Sequence, residues 1–243
     1  MYFFQELLLF HPTKLSKDHV FQSDVPFDEK YIQTNKGGIL HGLLFHADHA
    51  QGVILYLHGN GGSVKGWADV APTYTSLGYD VFMIDYPGFG KSEGTIASEE
   101  QLIASGQAAY DYVRTSYEGS DIVILGYSLG TGIAAHLASN NQARMLILQA
   151  PYLSMKDLAR RKFPWVPSFV LRYPLMTDER VRSCNMPVVI FHGDNDNTVP
   201  YGSSLGLMKE LRSKDTLITL HGWGHNNFTD CPEYLEAIQN VLK

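Results

Sequence analysis

The stretch Gly126-Tyr127-Ser128-Leu129-Gly130 follows an apolar run at 121–125 and precedes a segment at 131–140 with helix-forming residues. The apolar run is typical of a buried strand. A Gly-x-Ser-x-Gly pentapeptide between a strand and a helix predicts a nucleophile elbow, in which a strained turn exposes the serine Oγ. The pentapeptide alone is a weak signal, because glycine and serine are common. The predicted strand and helix on either side make it a strong one.

The composition favours a single folded α/β domain. The chain has 243 residues, of which 44% are hydrophobic and 18% charged, so it can bury a sizeable core. The formal net charge is -6 and no basic tract is present, so we expect no nucleic-acid partner. The cysteines, Cys184 and Cys231, form neither a disulfide framework nor a zinc-binding spacing. We therefore expect a reducing, cytoplasmic location and no metal.

The N-terminal ten residues are apolar but interrupted by Gln5 and Glu6. The apolar run is too short to span a bilayer. It also lacks the basic start and small-residue cleavage site of a signal peptide. We expect this segment to pack on the domain, with peripheral contact to a membrane surface as the less favoured alternative.

Strand and helix patterns alternate along the rest of the chain. An antiparallel pair joined by a turn at Lys36-Gly37-Gly38 precedes buried strands that are interleaved with helices, and a terminal helix carries Leu235, Ile238 and Leu242 on its apolar face. Ser98 and Gln101 form a capping-box pattern. The predicted strands are 31–33, 39–46, 52–57, 79–84, 121–125, 145–148, 188–191 and 216–220, and the predicted helices are 64–77, one from 98, 131–140 and 234–242. This alternation predicts a mostly parallel sheet covered on both sides, with ligands at the carboxyl ends of its strands.

A serine nucleophile needs a base, and the base needs an orienting acid. His225 lies in a glycine-containing loop just after the last predicted strand, and Asp194 and Asp196 follow the strand that ends at Phe191. The order of serine, acid and histidine is that of α/β-hydrolase triads. His225 alone closes this order. The histidines that compete with it at strand ends are His58, His192 and His221.

Acyl transfer also needs N–H donors for the developing oxyanion. We expect these to be the backbone N–H groups of Leu129, which follows the serine, and of Asn60, in His58-Gly59-Asn60-Gly61-Gly62. A phosphate-binding role for the latter loop is disfavoured, because it lacks the Lys-Ser/Thr ending of a P-loop. The stretch Asp85-Tyr-Pro-Gly-Phe-Gly-Lys-Ser92 suits a structural corner near the pocket better than a catalytic role.

Five motifs in order resemble the α/β-hydrolase fold and, within it, serine hydrolases of the Bem46 type, related to the mammalian depalmitoylating ABHD17 group. The motifs are His58-Gly59-Asn60-Gly61-Gly62, Asp85-Tyr-x-Gly-x-Gly-x-Ser92, Gly126-Tyr-Ser-Leu-Gly130, His192-Gly-x-x-Asp196-x-x-Val-Pro200 and Gly224-His225-Asn226. The resemblance covers nearly the whole chain and implies one domain over 1–243. It also favours Asp196 over Asp194 as the acid. Pro87 departs from the pattern, which usually has arginine there.

Residues 152–186 lie where this family inserts a cap over the active site. The resemblance implies a short cap whose aromatic side chains line an acyl pocket, and the candidates are Phe163, Trp165, Phe169 and Tyr173, together with Tyr127. The alternative is that the aromatic residues anchor the cap to the core. The basic residues of this segment are candidates to hold an anionic substrate tail, although ordinary surface salt bridges are favoured; they are Arg160, Arg161, Lys162 and Arg172.

The sequence therefore predicts a cofactor-independent serine hydrolase that cleaves small-molecule carboxylic esters or thioesters through an acyl-enzyme. Ser128, His225 and Asp196 would form the triad. A peptidase or amidase on the same triad, a lyase or cofactor-free oxygenase, and a non-enzymatic binding protein remain alternatives. Turnover of esters would distinguish a hydrolase from a lyase, an oxygenase or a non-enzymatic binding protein.

Overall fold

The computed structural model describes residues 5–34, 38–165 and 167–243, so most of the predicted Lys36-Gly37-Gly38 turn and the first four residues lie outside it. The strands are β1 (His11–Pro12), β2 (Phe27–Gln33), β3 (Ile39–Phe45), β4 (Val53–Leu57), β5 (Gly61–Gly62), β6 (Asp80–Ile84), β7 (Ile122–Tyr127), β8 (Met145–Gln149), β9 (Val188–Gly193) and β10 (Thr216–Leu220). The α-helices are α1 (Gln5–Leu9), α2 (Val64–Trp67), α3 (Ala71–Thr75), α4 (Glu99–Val113), α5 (Leu129–Asn140), α6 (Met155–Lys162), α7 (Thr177–Arg182), α8 (Gly202–Leu207) and α9 (Pro232–Leu242).

Within these residues, eight strands form one sheet in the order β10-β9-β8-β7-β4-β6-β3-β2. The strands from β10 to β6 in this order are parallel, and β3 and β2 extend the sheet in antiparallel pairing. The central strands β4, β6 and β7 are buried along their whole length. The mostly parallel sheet is confirmed, and its continuous apolar strands follow from burial on both faces.

Apolar side chains on the two faces of the sheet form two core clusters. One contains Leu102 from α4 and Ile133 from α5, and the other contains Tyr74 from α3 and Tyr234 from α9. Helices therefore cover both faces. Because the central strands run in parallel, the loops at their carboxyl ends meet at one edge of the sheet.

The helix predicted over 64–77 is wrong as one continuous element. It consists of α2, a 3-10 turn at Ala68–Val70, and α3. Pro72 explains the break: it has no N–H to donate to the Ala68 carbonyl, and its ring crowds that carbonyl. The predicted terminator Gly78 does adopt a positive φ, of 81°.

The apolar face predicted for the terminal helix is also partly wrong. Tyr234, Ile238 and Leu242 are the buried residues of α9, whereas Leu235 is 40% exposed. The buried set repeats every four residues, which places Tyr234 rather than Leu235 on the core face. The start of α4 is confirmed, since the Ser98 Oγ accepts a hydrogen bond from the Gln101 N–H at 3.2 Å.

The predicted cap segment, 152–186, contains α6, a 3-10 turn at Ser168–Val170, and α7. Its first residue is tied to the elbow, because the Tyr152 hydroxyl donates to the Leu129 carbonyl at 3.0 Å. Among the described residues, every helix is too short or too polar to cross a membrane.

Candidate active site

Ser128 lies between β7 and α5 in a strained turn. Its φ of 49° and ψ of -114° are unfavourable for a residue with a β-carbon. The flanking glycines permit this turn by letting elements approach closely. A β-carbon on Gly130 would lie 1.9 Å from the Leu57 carbonyl oxygen, and one on Gly126 would lie 2.7 Å from the Ala134 β-carbon. The predicted strand–serine–helix turn is therefore present.

The structure brings Ser128, His225 and Asp196 together from the ends of three strands. The His225 Nε2 lies 3.0 Å from the Ser128 Oγ, and the His225 Nδ1 lies 2.6 Å from the Asp196 Oδ2. Because a carboxylate only accepts hydrogen bonds, the Nδ1 carries the proton and the Nε2 is left to accept one from the serine hydroxyl. This tautomer is the one that a general base requires.

The Asp196 carboxylate is fully buried and held by several donors. Its Oδ1 accepts from the N–H groups of Thr198 at 2.7 Å and Val199 at 2.9 Å. The Oδ2 lies 3.2 Å from the His192 Nε2. Burial alone raises the pKa of Asp196, but the hydrogen bonds from His192, His225 and Val199 outweigh it and hold that pKa below its usual range. The acid therefore stays ionised at neutral pH.

Asp194 lies outside this cluster. Its carboxylate accepts from the Gly222 N–H at 2.7 Å and lies 3.0 Å from the His221 Nδ1, so it joins the loops after β9 and β10. His221 is thereby paired with Asp194 at the surface.

His192 and His58 are also engaged away from the serine. His192 is fully buried, and its Nδ1 lies 2.6 Å from the Ser204 Oγ. His58 is buried beside Trp67, and its Nδ1 donates to the Gly59 carbonyl at 2.7 Å. Burial lowers the pKa of His58. The sequence did not indicate that His192 contacts the Asp196 carboxylate, because a histidine at a strand end is equally typical of a catalytic base.

The expected oxyanion donors are the backbone N–H groups of Leu129 and Asn60, and among the described residues neither group has a protein acceptor. Leu129 is the first residue of α5, where helical N–H groups have no partner within the helix. Asn60 is held from the other side, since its carbonyl accepts from the His11 N–H at 2.8 Å. The parallel pairing of β1 with β5 continues this contact. The described part of the N-terminal segment thus packs on the loop that carries Asn60.

Asp85 anchors the far end of the same loop. Its Oδ1 accepts from the Val64 N–H at 2.8 Å, and its Oδ2 lies 2.9 Å from the His41 Nδ1, with both side chains fully buried. Gly90 is required beside it: with a φ of 47°, a β-carbon there would lie 1.9 Å from the Asp85 Oδ2. The loop 85–92 therefore has the structural character that its sequence predicts.

Tyr127 contacts the loop that carries His225. Its buried hydroxyl donates to the His225 carbonyl and lies 3.2 Å from the Asn226 Oδ1. Its ring packs edge-on against the imidazole of His225 and against Phe228, each with centroids 5.7 Å apart. These contacts hold the loop that carries His225 in place, a relation that the sequence did not indicate.

Trp165 and Phe169 do not enclose a pocket in this structure. They are 72% and 86% exposed, on the outer side of the cap segment. The predicted alternative, that the aromatic residues anchor the cap to the core, fails for these two residues but holds for Tyr173, which is buried with its ring centroid 5.1 Å from that of Phe10. The proline-rich segment around Trp165 and Phe169 has neither a helical nor a strand periodicity, so the sequence could not distinguish side chains that face solvent from those that face the core.

A cleft of about 720 Å³ lies between residues 19–23 and α2. Gly62, at the end of the Asn60 loop, lines this cleft, but neither Ser128 nor His225 does. In the described parts of the chain, His, Cys, Asp and Glu side chains form no group of three or more that is suited to a metal ion.

Comparisons with known proteins agree with this architecture. An uncharacterised protein of Mycobacterium tuberculosis is 30% identical over 220 residues, which cover 87% of this chain and 77% of that protein. The lysophosphatidylserine lipase ABHD12 of Mus musculus is 31% identical over 176 residues, which cover 64% of this chain but only 44% of the lipase.

Solved structures show the same fold at lower identity. The Pyrococcus furiosus esterase Pf2001 superposes with a TM-score of 0.75 at 17% identity, over 96% of this chain and 97% of the esterase. Est1E from Butyrivibrio proteoclasticus with bound ferulic acid has a TM-score of 0.70 at 22% identity, over 88% and 96% of the two chains. Residues 52–175 match the family described as alpha/beta hydrolase fold. The chain therefore belongs to the alpha/beta hydrolase fold family.

Proposed function

We propose that this hydrolase cleaves carboxylic ester or thioester bonds of small molecules, with Ser128 as nucleophile, His225 as base and Asp196 as orienting acid. The observation that carries the proposal is the position of His225. One imidazole nitrogen is within hydrogen-bond distance of the Ser128 Oγ, at 3.0 Å, and the other is 2.6 Å from a buried carboxylate. A nucleophile, a base and an orienting group in this relation are the parts that acyl transfer requires.

In the first half of the reaction, the Ser128 Oγ attacks the acyl carbon while the His225 Nε2 takes its proton. The ionised Asp196 stabilises the imidazolium that forms. The N–H groups of Leu129 and Asn60 would donate to the oxyanion of the tetrahedral intermediate. Collapse of that intermediate releases the alcohol or thiol, which receives the proton from His225, and leaves the acyl group on Ser128.

In the second half, water takes the place of the leaving group. The His225 Nε2 removes a proton from the water as its oxygen attacks the acyl carbon, and the same proton then returns to the Ser128 Oγ as the acid is released. Every step uses groups at the carboxyl ends of β4, β7, β9 and β10, which meet at one edge of the sheet.

The relatives support an ester as the scissile bond. One is named as a lysophosphatidylserine lipase and others as esterases. The resemblance to Bem46-type and depalmitoylating hydrolases extends the proposal to thioesters.

The test is hydrolysis of p-nitrophenyl esters from acetate to palmitate by the wild type and by Ser128→Ala. We expect ester turnover that falls at least about 1000-fold in the variant. Ser120→Ala is the matched control, because Ser120 is exposed, and it should keep wild-type turnover. Equal turnover by Ser128→Ala and the wild type would contradict the mechanism, as would absence of turnover of any ester or thioester by folded wild type.

A further inference from the structure

The exposed apolar side chains of this protein are unevenly distributed. Of the ten large hydrophobic side chains that are exposed among the described residues, five lie on α1 and on the segment 163–169. Phe169 and Trp165 are the most exposed of the aromatic ones, at 86% and 72%, and Leu7 is 71% exposed. The five are Leu7, Leu8, Phe163, Trp165 and Phe169. We call them the outer apolar surface.

Hydrogen bonds join the two segments that carry this surface. Gln5 is buried, its Nε2 donates to the Val170 carbonyl at 2.6 Å, and its Oε1 accepts from the Arg172 N–H at 3.0 Å. The next residue, Glu6, accepts from the Tyr173 hydroxyl at 2.8 Å. Because α1 is fixed to the chain directly after Phe169, Leu7 and Leu8 lie within one helical turn of the contact. The two segments are therefore joined by hydrogen bonds into one unit, and both carry exposed apolar side chains.

Positive charge borders the outer apolar surface. Residues 156–172 contain five Lys and Arg residues against the single Asp157, in a chain whose formal net charge is -6. Arg160 and Arg161 are exposed at the end of α6. Arg161 is paired with Asp157 at 2.7 Å, and Arg172 is paired with Glu6 of α1 at 2.6 Å. Together, α1 and this segment keep an excess of three positive charges, from five Lys and Arg residues against Glu6 and Asp157. A basic patch on an acidic protein is an arrangement that favours a negatively charged partner.

We propose that the outer apolar surface binds peripherally to an anionic lipid bilayer. Tryptophan, phenylalanine and leucine side chains enter the boundary between headgroups and acyl chains, while neighbouring lysine and arginine residues are attracted to anionic headgroups. The charge distribution favours this partner over a neutral bilayer or an apolar protein groove. Contact of this kind needs no spanning helix and is reversible.

The location of the surface gives the contact a consequence for the active site. The cap segment begins at Tyr152, whose hydroxyl is bonded to the Leu129 carbonyl beside the elbow. At the other end of the surface, α1 leads into His11, whose N–H donates to the Asn60 carbonyl at 2.8 Å, so the unit that carries the outer apolar surface contacts both the elbow and the proposed oxyanion loop. This consequence rests on the proposed function, but binding to the bilayer does not.

The test is co-sedimentation of the full chain with vesicles of phosphatidylcholine alone and of phosphatidylcholine mixed with phosphatidylserine. We expect binding to the mixed vesicles, weakened by high salt, and little binding to phosphatidylcholine alone. Trp165→Ser combined with Phe169→Ser should lower the partition coefficient about tenfold or more. Arg160→Glu combined with Arg161→Glu should remove the preference for phosphatidylserine.

The control is Leu205→Ser combined with Leu235→Ser, which removes two exposed apolar side chains from other elements, α8 and α9. It should bind like the wild type. All variants change exposed side chains, so thermal unfolding should show wild-type midpoints. Failure of the wild type to bind mixed vesicles, or equal binding by the Trp165/Phe169 variant, would overturn the proposal. A concentration-dependent dimer without lipid binding would instead assign the surface to a second copy of the chain. Loss of esterase activity in Ser128→Ala with normal vesicle binding would leave this proposal intact.

Discussion

The hydroxyl of Tyr127 donates a hydrogen bond to the backbone carbonyl of His225. Tyr127 ends β7 and immediately precedes Ser128, the proposed nucleophile, and His225 is the proposed base. The contact therefore fixes the loop that carries His225 against β7. It is made from a buried side chain, where a lost hydrogen bond is costly.

Tyr127→Phe therefore tests whether this contact positions the base. Removing the hydroxyl should lower kcat about fivefold, as expected for about 1 kcal/mol of lost positioning, with KM for a short ester nearly unchanged. Steady-state kinetics with p-nitrophenyl acetate measure this. A rise in KM at constant kcat would instead support the predicted pocket role of Tyr127.

Asp196→Asn and Asp194→Asn form a matched pair, because both aspartates follow β9 and only the first contacts His225. An asparagine at 196 can donate to the imidazole and thus favour the wrong tautomer, so kcat should fall about 1000- to 10,000-fold. Asp194→Asn should stay within about threefold of the wild type. The reverse order of effects would assign the acid to Asp194.

The buried carboxylate of Asp196 leads to a prediction about how the stability of the protein depends on pH. The folded-state pKa of Asp196 is lowered, so its ionised form stabilises the fold at pH values above the ordinary aspartate pKa of about 4. That contribution should be lost as the pH falls below about 4 toward the folded-state pKa. Urea unfolding of the wild type and Asp196→Asn between pH 7 and pH 2 measures it, and the stability difference between them should shrink on acidification. A difference that is independent of pH would contradict this account.

Gly130→Ala tests the close approach of α5 to β4. The added β-carbon would fall 1.9 Å from the Leu57 carbonyl oxygen, so the helix must shift, and we expect a loss of about 1–3 kcal/mol in the free energy of unfolding. Gly66→Ala is the control, because a β-carbon there meets nothing within 4 Å. It lies within α2, where alanine should be neutral or stabilise the protein by up to about 1 kcal/mol. Equal unfolding free energies for the two variants would exclude the packing explanation.

Asp85→Ala tests the anchor of the Asn60 loop. The substitution leaves the Val64 N–H and the buried His41 without their carboxylate, so both stability and ester turnover should fall, with at least about 1–3 kcal/mol lost in unfolding free energy. The exposed Asp69, in the 3-10 turn after α2, provides the control Asp69→Ala. If Asp85→Ala unfolds like the wild type and keeps full turnover, the carboxylate does not hold the loop.

The sequence predicted the sheet and the elbow well because their signals are local. A buried parallel strand is a continuous apolar run, and the Gly126 and Gly130 positions tolerate no side chain, so both leave direct traces in the residue order. The helix predicted over 64–77 fails at Pro72, where the loss of one backbone N–H outweighs the helical pattern of the flanking residues.

Other features depend on contacts that residue order does not encode. The pairing of Tyr127 with His225 spans 98 positions, and the bond from Gln5 to Val170 spans 165. The orientation of Trp165 and Phe169 depends on how a proline-rich segment packs, for which neither period of regular structure gives a signal. For this reason, the pocket position expected for Trp165 and Phe169 differs from their exposed position in the structure.

Acylation of Ser128 is the central claim, and mass spectrometry of the protein mixed with p-nitrophenyl acetate tests it most directly. The intact protein, quenched in acid within the first turnovers, should gain one acetyl group, and peptide mapping should place that group on Ser128. His225→Ala should form the adduct far more slowly. Ester turnover with the acetyl group on another residue, or with no adduct on Ser128 under conditions that trap acyl-enzymes, would contradict the account.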